Sequence, residues 1–197
     1  MSYEKLYTKI ADALTNDGYV VIEDSLEDFL ADGLLKNAQN GENFKEAGIS
    51  STQNLHIDKK RRRDKIRWLD GDDKYEKEFL SFSEGLKLFL NQNLYLGLKY
   101  YEAHFAIYDI DDFYEKHLDS FKNSKNRVVT TVYYLNECQG GELVIYDNND
   151  NVIKTVQPKK NTLVVFLSEK FPHEVRPVFS KRFSIAGWFR VDDLIGF

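Results

Sequence analysis

The sequence predicts a mainly β protein with supporting helices (α+β), in which antiparallel strands form a sandwich, barrel or jelly roll. From about residue 98 onward, short segments rich in β-branched and aromatic residues follow one another, separated by Gly, Asn, Asp and Pro. No long helical pattern lies between these segments, which argues against a parallel sheet with crossover helices. Helical periodicity belongs to the first half, so we expect N-terminal helices packed on one face or edge of a β core.

Three segments of the first half have the spacing of amphipathic helices. In residues 3–14, Leu6, Ile10 and Leu14 recur near helical spacing, and an NDG turn then leads into the apolar run YVVIED, which we expect to be a strand. A short helix is expected over residues 26–37 and a long one over residues 73–92. Residues 37–54 are polar and contain glycine, which predicts a loop.

About eight strands are expected in the second half, with no internal repeat. The segments with strand character read KYYEAHFAIYD, RVVTTVYYLN, GELVIYD, NVIKTVQP, NTLVVFL, HEVRPV and RFSIAGWFRV.

Composition excludes several classes of protein. The 197 residues suit one domain, and a net charge of −5 gives no basic footprint of the kind that nucleic-acid binders carry. A single cysteine, Cys138, excludes an internal disulfide and is typical of a reducing compartment, so we expect a cytoplasmic protein. The N-terminus has no apolar signal core and no run of about 18 apolar residues occurs, so neither export nor a membrane span is expected.

Two His-x-Asp pairs raise the question of a metal site. They are His56 with Asp58 and His117 with Asp119. In an extended strand, positions i and i+2 point to the same face, so both side chains of a pair could reach one ion. A single pair is a weak signal, because this spacing arises easily by chance.

A third ligand separates the two pairs. An iron site of the two-histidine, one-carboxylate type needs three facial ligands, and His173 supplies the third for the second pair at the start of a later strand. The first pair has only His104, which alternates with core residues, and it lies beside five consecutive basic residues that would repel a cation. The predicted metal ligands are therefore His117, Asp119 and His173.

A cationic residue follows the third predicted ligand along the sequence. An iron centre of this type needs an electron source to activate dioxygen, and the common small-molecule source is 2-oxoglutarate. Its far carboxylate needs a cationic partner, which a guanidinium supplies through two charge-assisted hydrogen bonds. Arg182, at the start of the last long strand, is the candidate.

These segments resemble the iron(II)/2-oxoglutarate-dependent dioxygenases, and in particular their prolyl 4-hydroxylase branch, which includes the hypoxia-inducible-factor prolyl hydroxylases and bacterial relatives. The resemblance rests on RRRDKIRW, AIYDIDDFYEKHLD, RVVTTVYYLN, GGELVIY, FPHEVRPV and RFSIAGWF, in the same order and at similar spacing. It covers roughly residues 58–191. It implies a double-stranded β-helix (jelly-roll) core at residues 96–191, with helical support and a substrate loop at residues 1–95, in a single domain of residues 1–197.

The resemblance also implies roles for further residues. Tyr108 and Tyr134 match tyrosines that bond the cosubstrate, and Tyr114 is expected to form a wall of the pocket. Ala186 departs from relatives that carry a hydroxyl-bearing residue at this position. We assign no chemistry to the QGGEL turn at residues 139–143.

The basic run KKRRRDKIR resembles a mobile loop that folds over the protein substrate. We expect residues 59–65 to help hold a peptide across the iron, with Arg63, Asp64, Lys65 and Arg127 as the contact residues. In this hypothesis Asp64 pairs with Arg127 and so fixes the closed loop to the core. Taken without the resemblance, the run is typical of a solvated loop.

The predicted activity is hydroxylation of a prolyl residue in a protein, of the procollagen-proline or peptidyl-prolyl 4-hydroxylase type, with release of succinate and CO2. The cofactor is Fe(II), the cosubstrates are 2-oxoglutarate and O2, and ascorbate is a candidate auxiliary. The expected partner is a proline-containing protein or peptide of the transcription-factor or translation-machinery type, with no nucleic acid and no membrane. Two alternatives stay open: a related dioxygenase acting on another side chain or a small molecule, and a non-catalytic metal-binding jelly-roll module.

Overall fold

The three predicted helices form, each within three residues of its predicted ends. The computed structural model describes residues 3–51, 54–56, 60–120 and 126–192. The helices are α1 (Glu4–Asn16), α2 (Asp28–Asn40) and α3 (Lys74–Leu94). The side chain of Asp73 caps α3, accepting hydrogen bonds from the backbone N–H groups of Tyr75 and Glu76.

Strands fill most of the remaining described chain. They are β1 (Tyr19–Ile22), β2 (Lys45–Glu46), β3 (Ile49–Ser51), β4 (Asn54–His56), β5 (Lys65–Trp68), β6 (Tyr100–Tyr108), β7 (Tyr114–His117), β8 (Arg127–Tyr134), β9 (Leu143–Tyr146), β10 (Val152–Val156), β11 (Thr162–Leu167), β12 (His173–Val175) and β13 (Arg182–Arg190). The eight strands expected in the second half are β6 to β13.

Two antiparallel sheets form a jelly roll, as predicted. The larger sheet has seven strands in the order β1-β11-β8-β13-β6-β5-β2, and the smaller has four in the order β10-β9-β12-β7. A separate hairpin joins β3 and β4. Except for β9 with β10, and for β5 with β6, which α3 separates, neighbours in the two sheets are not consecutive strands, so the jelly roll is held together mainly by long-range pairing.

The period-2 alternation of the large sheet separates two cores. On β8, Val129 and Tyr133 face a cluster that contains the helices, whereas Val132 and Tyr134 face a second cluster against the small sheet. On β13, Ile185 faces the helices in the same way. The helices therefore cover one face of the large sheet, and the other face lines the space between the sheets.

The prediction of a loop at residues 37–54 is wrong in part. α2 continues to Asn40, and β2, β3 and the start of β4 lie within the remainder. The basic run is likewise not a loop throughout, because β5 begins at Lys65 and pairs with β6. These strands have two to four residues and many polar side chains, since a strand near a sheet edge need not bury both faces.

No helix within the described ranges has both the length and the apolar character that crossing a membrane requires.

Candidate metal centre

His117, Asp119 and His173 meet between the two sheets. The last residue of β7, His117, lies opposite His173, the first residue of β12. Asp119 Oδ1 is 3.5 Å from His117 Nε2, and its Oδ2 is 3.4 Å from His173 Nε2. One potential ligand atom from each residue lies within 4.8 Å of the others. Two imidazoles and a carboxylate in this arrangement can share one divalent ion.

Each histidine is oriented by a backbone carbonyl. Nδ1 of His117 is 2.7 Å from the carbonyl oxygen of Glu115, and Nδ1 of His173 is 3.0 Å from that of Phe171. A carbonyl oxygen can only accept, so each Nδ1 carries the proton and donates it. In the neutral tautomer with Nδ1 protonated, Nε2 is the nitrogen that carries the lone pair, and on both rings it points to the centre, as metal ligation requires.

The charge states of the cluster favour cation binding. Burial alone would raise the pKa of Asp119, but His173 and His117 outweigh it and hold the pKa of this carboxyl well below its usual value. Burial also lowers the pKa of His173 to about 4. A carboxylate beside a neutral imidazole is the protonation state in which these groups act as ligands.

Asp119 differs slightly from its predicted position. The strand β7 ends at His117, so Asp119 lies just beyond it in a bend. The two side chains nevertheless converge, with 3.5 Å between Oδ1 of Asp119 and Nε2 of His117.

Arg182 lies in the same cavity as the metal cluster and is almost fully buried, with 2% of its surface exposed. Its guanidinium carbon is 4.7 Å from the ring centroid of Tyr108 and 5.0 Å from that of Tyr134. Within the described residues, Nε of Arg182 has no hydrogen-bond partner, whereas the hydroxyl of Tyr134 interacts with the guanidinium. Buried donors that the protein itself leaves unpaired are what a ligand carboxylate would satisfy.

The QGGEL turn, for which the sequence indicates no chemical role, lies against this arginine. Gly141 has φ of +67°, and a Cβ there would lie 3.1 Å from Cδ of Arg182 and 3.0 Å from Val178. Glycine is therefore needed both for the backbone conformation and for the close approach of Arg182.

A stack of side chains connects the basic segment with the cluster. The guanidinium of Arg62 lies 4.6 Å from the ring centroid of Tyr114, and the Tyr114 ring stacks on His117 with 3.6 Å between centroids. Tyr114 also lines the cavity. The segment that precedes β5 is thus in contact with the wall of the pocket.

The expected ion pair between Asp64 and Arg127 is not formed. Asp64 accepts two hydrogen bonds from Arg62, at 2.6 and 2.9 Å, while Arg127 donates to Glu102 at 2.9 Å and stacks on Trp188 at 3.7 Å. Each charge has a nearer partner: Arg62 is two residues from Asp64, and Glu102 bonds Arg127.

Other members of the expected substrate loop lie around these contacts. Lys65 pairs with Asp109 at 2.9 Å, and the guanidinium of Arg63 lies over the ring of Phe113. Asp58 and Lys59 lie outside the described residues, so the first His-x-Asp pair is not described as a pair.

Sequence reasoning did not assign several residues to the cavity. Thr130 donates a hydrogen bond to Oδ2 of Asp119 at 2.9 Å, and Arg62, His104 and Trp188 line the same cavity. The alternation on β8 could have indicated Thr130, because it shares parity with Tyr134. The alternation of residues on β6 predicts that His104 points to a core face, and in the structure that face lines the pocket.

Comparisons with known proteins agree with this geometry. Residues 103–190 match the 2OG-Fe(II) oxygenase superfamily. The crystal structure of a Pseudomonas putida prolyl-4-hydroxylase superposes with a TM-score of 0.85 and 32% identity, covering 95% of this chain and 100% of that one. The chain belongs to the 2OG-Fe(II) oxygenase superfamily.

A second solved oxygenase with a similar fold is a Trichoplax adhaerens prolyl hydroxylase in complex with a hypoxia inducible factor oxygen degradation domain peptide fragment. Its TM-score is 0.82 at 25% identity, with 95% of this chain and 90% of that chain covered. Members of the superfamily use Fe(II), 2-oxoglutarate and O2.

Curated relatives include human prolyl hydroxylase EGLN3, 32% identical over 142 residues, or 65% of this chain. A Caenorhabditis elegans hypoxia-inducible factor prolyl hydroxylase is 38% identical over 82 residues, or 39% of this chain. The matched segments span 58% of the human protein and 11% of the nematode protein.

Proposed function

We propose that this chain is an Fe(II)- and 2-oxoglutarate-dependent dioxygenase that hydroxylates a prolyl residue of a protein. The observation that carries the proposal is the presence, in one cavity, of a His-Asp-His cluster and a buried arginine with an unpaired donor. The cluster fits iron, because two imidazoles and one carboxylate leave further coordination positions to cosubstrate and dioxygen. Bound iron would supply the redox chemistry that couples oxidation of 2-oxoglutarate to succinate and CO2 with transfer of one oxygen atom to a substrate C–H bond.

The roles of the side chains follow from their places. His117, Asp119 and His173 hold the ion, with both histidines fixed by carbonyl oxygens. Arg182 binds the far carboxylate of 2-oxoglutarate, assisted by the hydroxyls of Tyr108 and Tyr134. Because Arg182 is buried, little water competes for these hydrogen bonds, and the cosubstrate has one orientation.

A proline-containing protein segment is the proposed substrate, of the transcription-factor or translation-machinery type. Support comes from the Trichoplax relative, whose structure contains a peptide of hypoxia inducible factor. In this chain, a polar cleft of about 370 Å³ lies beside the basic segment and is lined by Arg63, Asp64 and Lys65. Such a cleft offers a path for an extended peptide, and the Arg62–Tyr114 stack connects it to the metal cluster.

The activity is tested by incubating the protein with Fe(II), 2-oxoglutarate, ascorbate and a host-cell extract. Mass spectrometry should find proteins that have gained one oxygen atom on proline, in amounts equal to the succinate formed. Succinate formation with oxygen on another residue or on a small molecule would favour the related-dioxygenase alternative. A chain that never turns over 2-oxoglutarate would be the metal-binding module instead.

Replacement of Arg182 separates the enzyme from the structural metal module. Arg182→Ala should weaken 2-oxoglutarate binding about 10- to 100-fold, since it removes a charge-assisted pair of roughly 1.5–3 kcal/mol. Binding is measured by calorimetry on the Mn(II)-loaded protein, and Mn(II) affinity itself should not change. The control is Lys181→Ala, which removes the neighbouring exposed cation paired with Asp109. If the wild type does not bind 2-oxoglutarate, or Arg182→Ala binds it equally well, the assigned cosubstrate site is wrong.

A further inference from the structure

Two buried hydroxyl groups form a chain behind the carboxylate of the metal cluster. Thr130, on β8, donates to Oδ2 of Asp119 at 2.9 Å, and its hydroxyl is 2.8 Å from that of Ser168, which follows β11. Thr130 is 1% exposed and Ser168 is 0% exposed. These contacts belong to the large sheet, whereas both histidines of the cluster lie on the small one.

The number of hydroxyl protons determines the direction of the hydrogen bonds among Asp119, Thr130 and Ser168. An ionised carboxylate can only accept, so the single hydroxyl proton of Thr130 is used on Asp119. The bond between the two hydroxyls must then be donated by Ser168. Ser168 is itself held in place, because its backbone N–H donates to the carbonyl of Val128 at 3.0 Å.

Asp119 needs such support more than the two histidines do. His117 and His173 face each other as paired residues of adjacent strands, which fixes their backbones. Asp119 lies beyond the last paired residue of β7, so its side chain depends on contacts of its own. With Oδ2 held by a hydroxyl, Oδ1 keeps its lone pairs available on the side of His117.

We propose that Thr130, supported by Ser168, is a positioning residue that occupies Oδ2 of Asp119 and leaves Oδ1 as the oxygen presented to the metal. The inference rests on the proposed function, in that it takes His117, Asp119 and His173 as the metal ligands. It adds a link between the two sheets: the carboxylate ligand is oriented from the sheet that carries Arg182.

The test is the affinity of metal-free protein for Mn(II), measured by calorimetry without any cosubstrate. Thr130→Val keeps the shape of the side chain and removes the hydroxyl, and it should weaken Mn(II) binding about 10- to 100-fold, as loss of partners behind metal ligands typically does. Thr130→Ser keeps the hydroxyl and should restore most of the affinity. Ser168→Ala should have a smaller effect, and adding it to Thr130→Val should cost little more.

The neighbouring threonine provides a matched control. Thr131 is buried on the same strand but faces the helices, where its hydroxyl lies 2.8 Å from that of Tyr101. Thr131→Val should reduce the stability of the metal-free protein and leave Mn(II) affinity unchanged. A loss of affinity caused merely by looser packing would appear in both valine variants.

A spectroscopic signature gives a second readout. The visible absorption of the Co(II)-loaded protein should change in Thr130→Val, because both carboxylate oxygens become available to the ion, and should be preserved in Thr130→Ser. Wild-type affinity together with a wild-type spectrum in Thr130→Val would overturn the inference while leaving the metal site intact. Failure of the wild type to bind Mn(II), or equal binding by Asp119→Ala, would instead overturn the proposed function.

Discussion

Arg182 carries a permanent charge into a part of the protein where water has little access. Removing a guanidinium from water is unfavourable unless its donors are satisfied, and here the two tyrosine rings compensate only in part. Nε of Arg182 therefore remains an unpaired donor, and an anionic ligand would offset its desolvation. A buried charge of this kind signals ligand binding more strongly than an exposed one.

His104 shows the opposite behaviour, since it stays neutral in the same cavity. Burial, reinforced by the charge of Arg62, lowers the pKa of His104 from its usual 6.5 to about 4. Between pH 6.5 and 4 the imidazole of His104 is therefore protonated in the unfolded chain and neutral in the folded chain. The contribution of His104 to stability is complete above pH 6.5 and is lost as the pH falls towards 4.

We expect His104→Gln to be less sensitive to acid than the wild type. Between pH 7.5 and pH 5 the wild type should lose about 2 kcal/mol through His104 alone. The free energy of unfolding is measured by urea denaturation of both metal-free proteins over this range. The residues of the metal cluster are the same in both proteins, so their contributions cancel in the difference between the two free energies of unfolding, and that difference should narrow as the pH falls. Parallel pH profiles would contradict the assigned neutral state.

Spacing could predict the site residues that belong to residue types that are rare in this sequence. Histidines are few, so His117, Asp119 and His173 could be selected from the sequence, and Arg182 followed from the need for an anion partner. The structure brings these four into one cavity. Thr130 was not found, because a threonine in a strand is common and becomes meaningful only when folding places it against Asp119.

Among the elements, the strands were predicted best where both faces are buried. β8 and β13 carry long alternating runs, whereas β5 combines basic side chains with only four residues. Its pairing with β6 could not be predicted from local pattern. That pairing matters for the site, because it holds the end of the basic segment beside the pocket.

The Arg62–Asp64 pair gives a prediction for this segment. The Asp64 side chain is fully buried and fixes the guanidinium that stacks on Tyr114. Asp64→Asn should leave Arg62 without its charge partner, raise the KM for a proline-containing peptide about tenfold, and destabilise the fold by about 3 kcal/mol. Affinities for Mn(II) and 2-oxoglutarate should stay the same.

Asp109→Asn is the control, because it removes the same charge from the same cleft at a more exposed site, where pairs contribute little. An unchanged peptide KM in Asp64→Asn, at a temperature where the variant is folded, would show that the segment does not hold the substrate.

At the scale of the molecule, the site exists only where the two sheets pack together. The small sheet supplies both histidines, and the large sheet supplies Arg182 and Thr130. Residues that meet here are far apart in the sequence, since His117 precedes Arg182 by 65 positions, and no local pattern specifies which strands become neighbours. Strand content could be predicted from the sequence, but the choice of a double-stranded β-helix over other antiparallel arrangements came from the resemblance.

Ligand binding should therefore stabilise the whole fold. Mn(II) with 2-oxoglutarate, each at about 100 times its Kd, should add at least about 2.7 kcal/mol to the free energy of unfolding and raise the Tm. The measurement is differential scanning fluorimetry of wild type and Asp119→Ala. Asp119→Ala should show little shift with either ligand, and a full shift in this variant would place the binding elsewhere.

The register between β13 and its neighbours has a consequence for which oxo acids the pocket accepts. Arg182 pairs with Tyr108, and Ser184 pairs with both Ala106 and Tyr134. A slip of one residue would turn the guanidinium to the helix side. A slip of two residues would move it by about 7 Å, which is more than the length that several methylene groups add to a dicarboxylate. In the proposed function, the backbone register of β13 thus places the guanidinium that sets the length of dicarboxylate the pocket accepts. Point substitutions in the pocket should change how tightly such an acid binds more readily than how long it is.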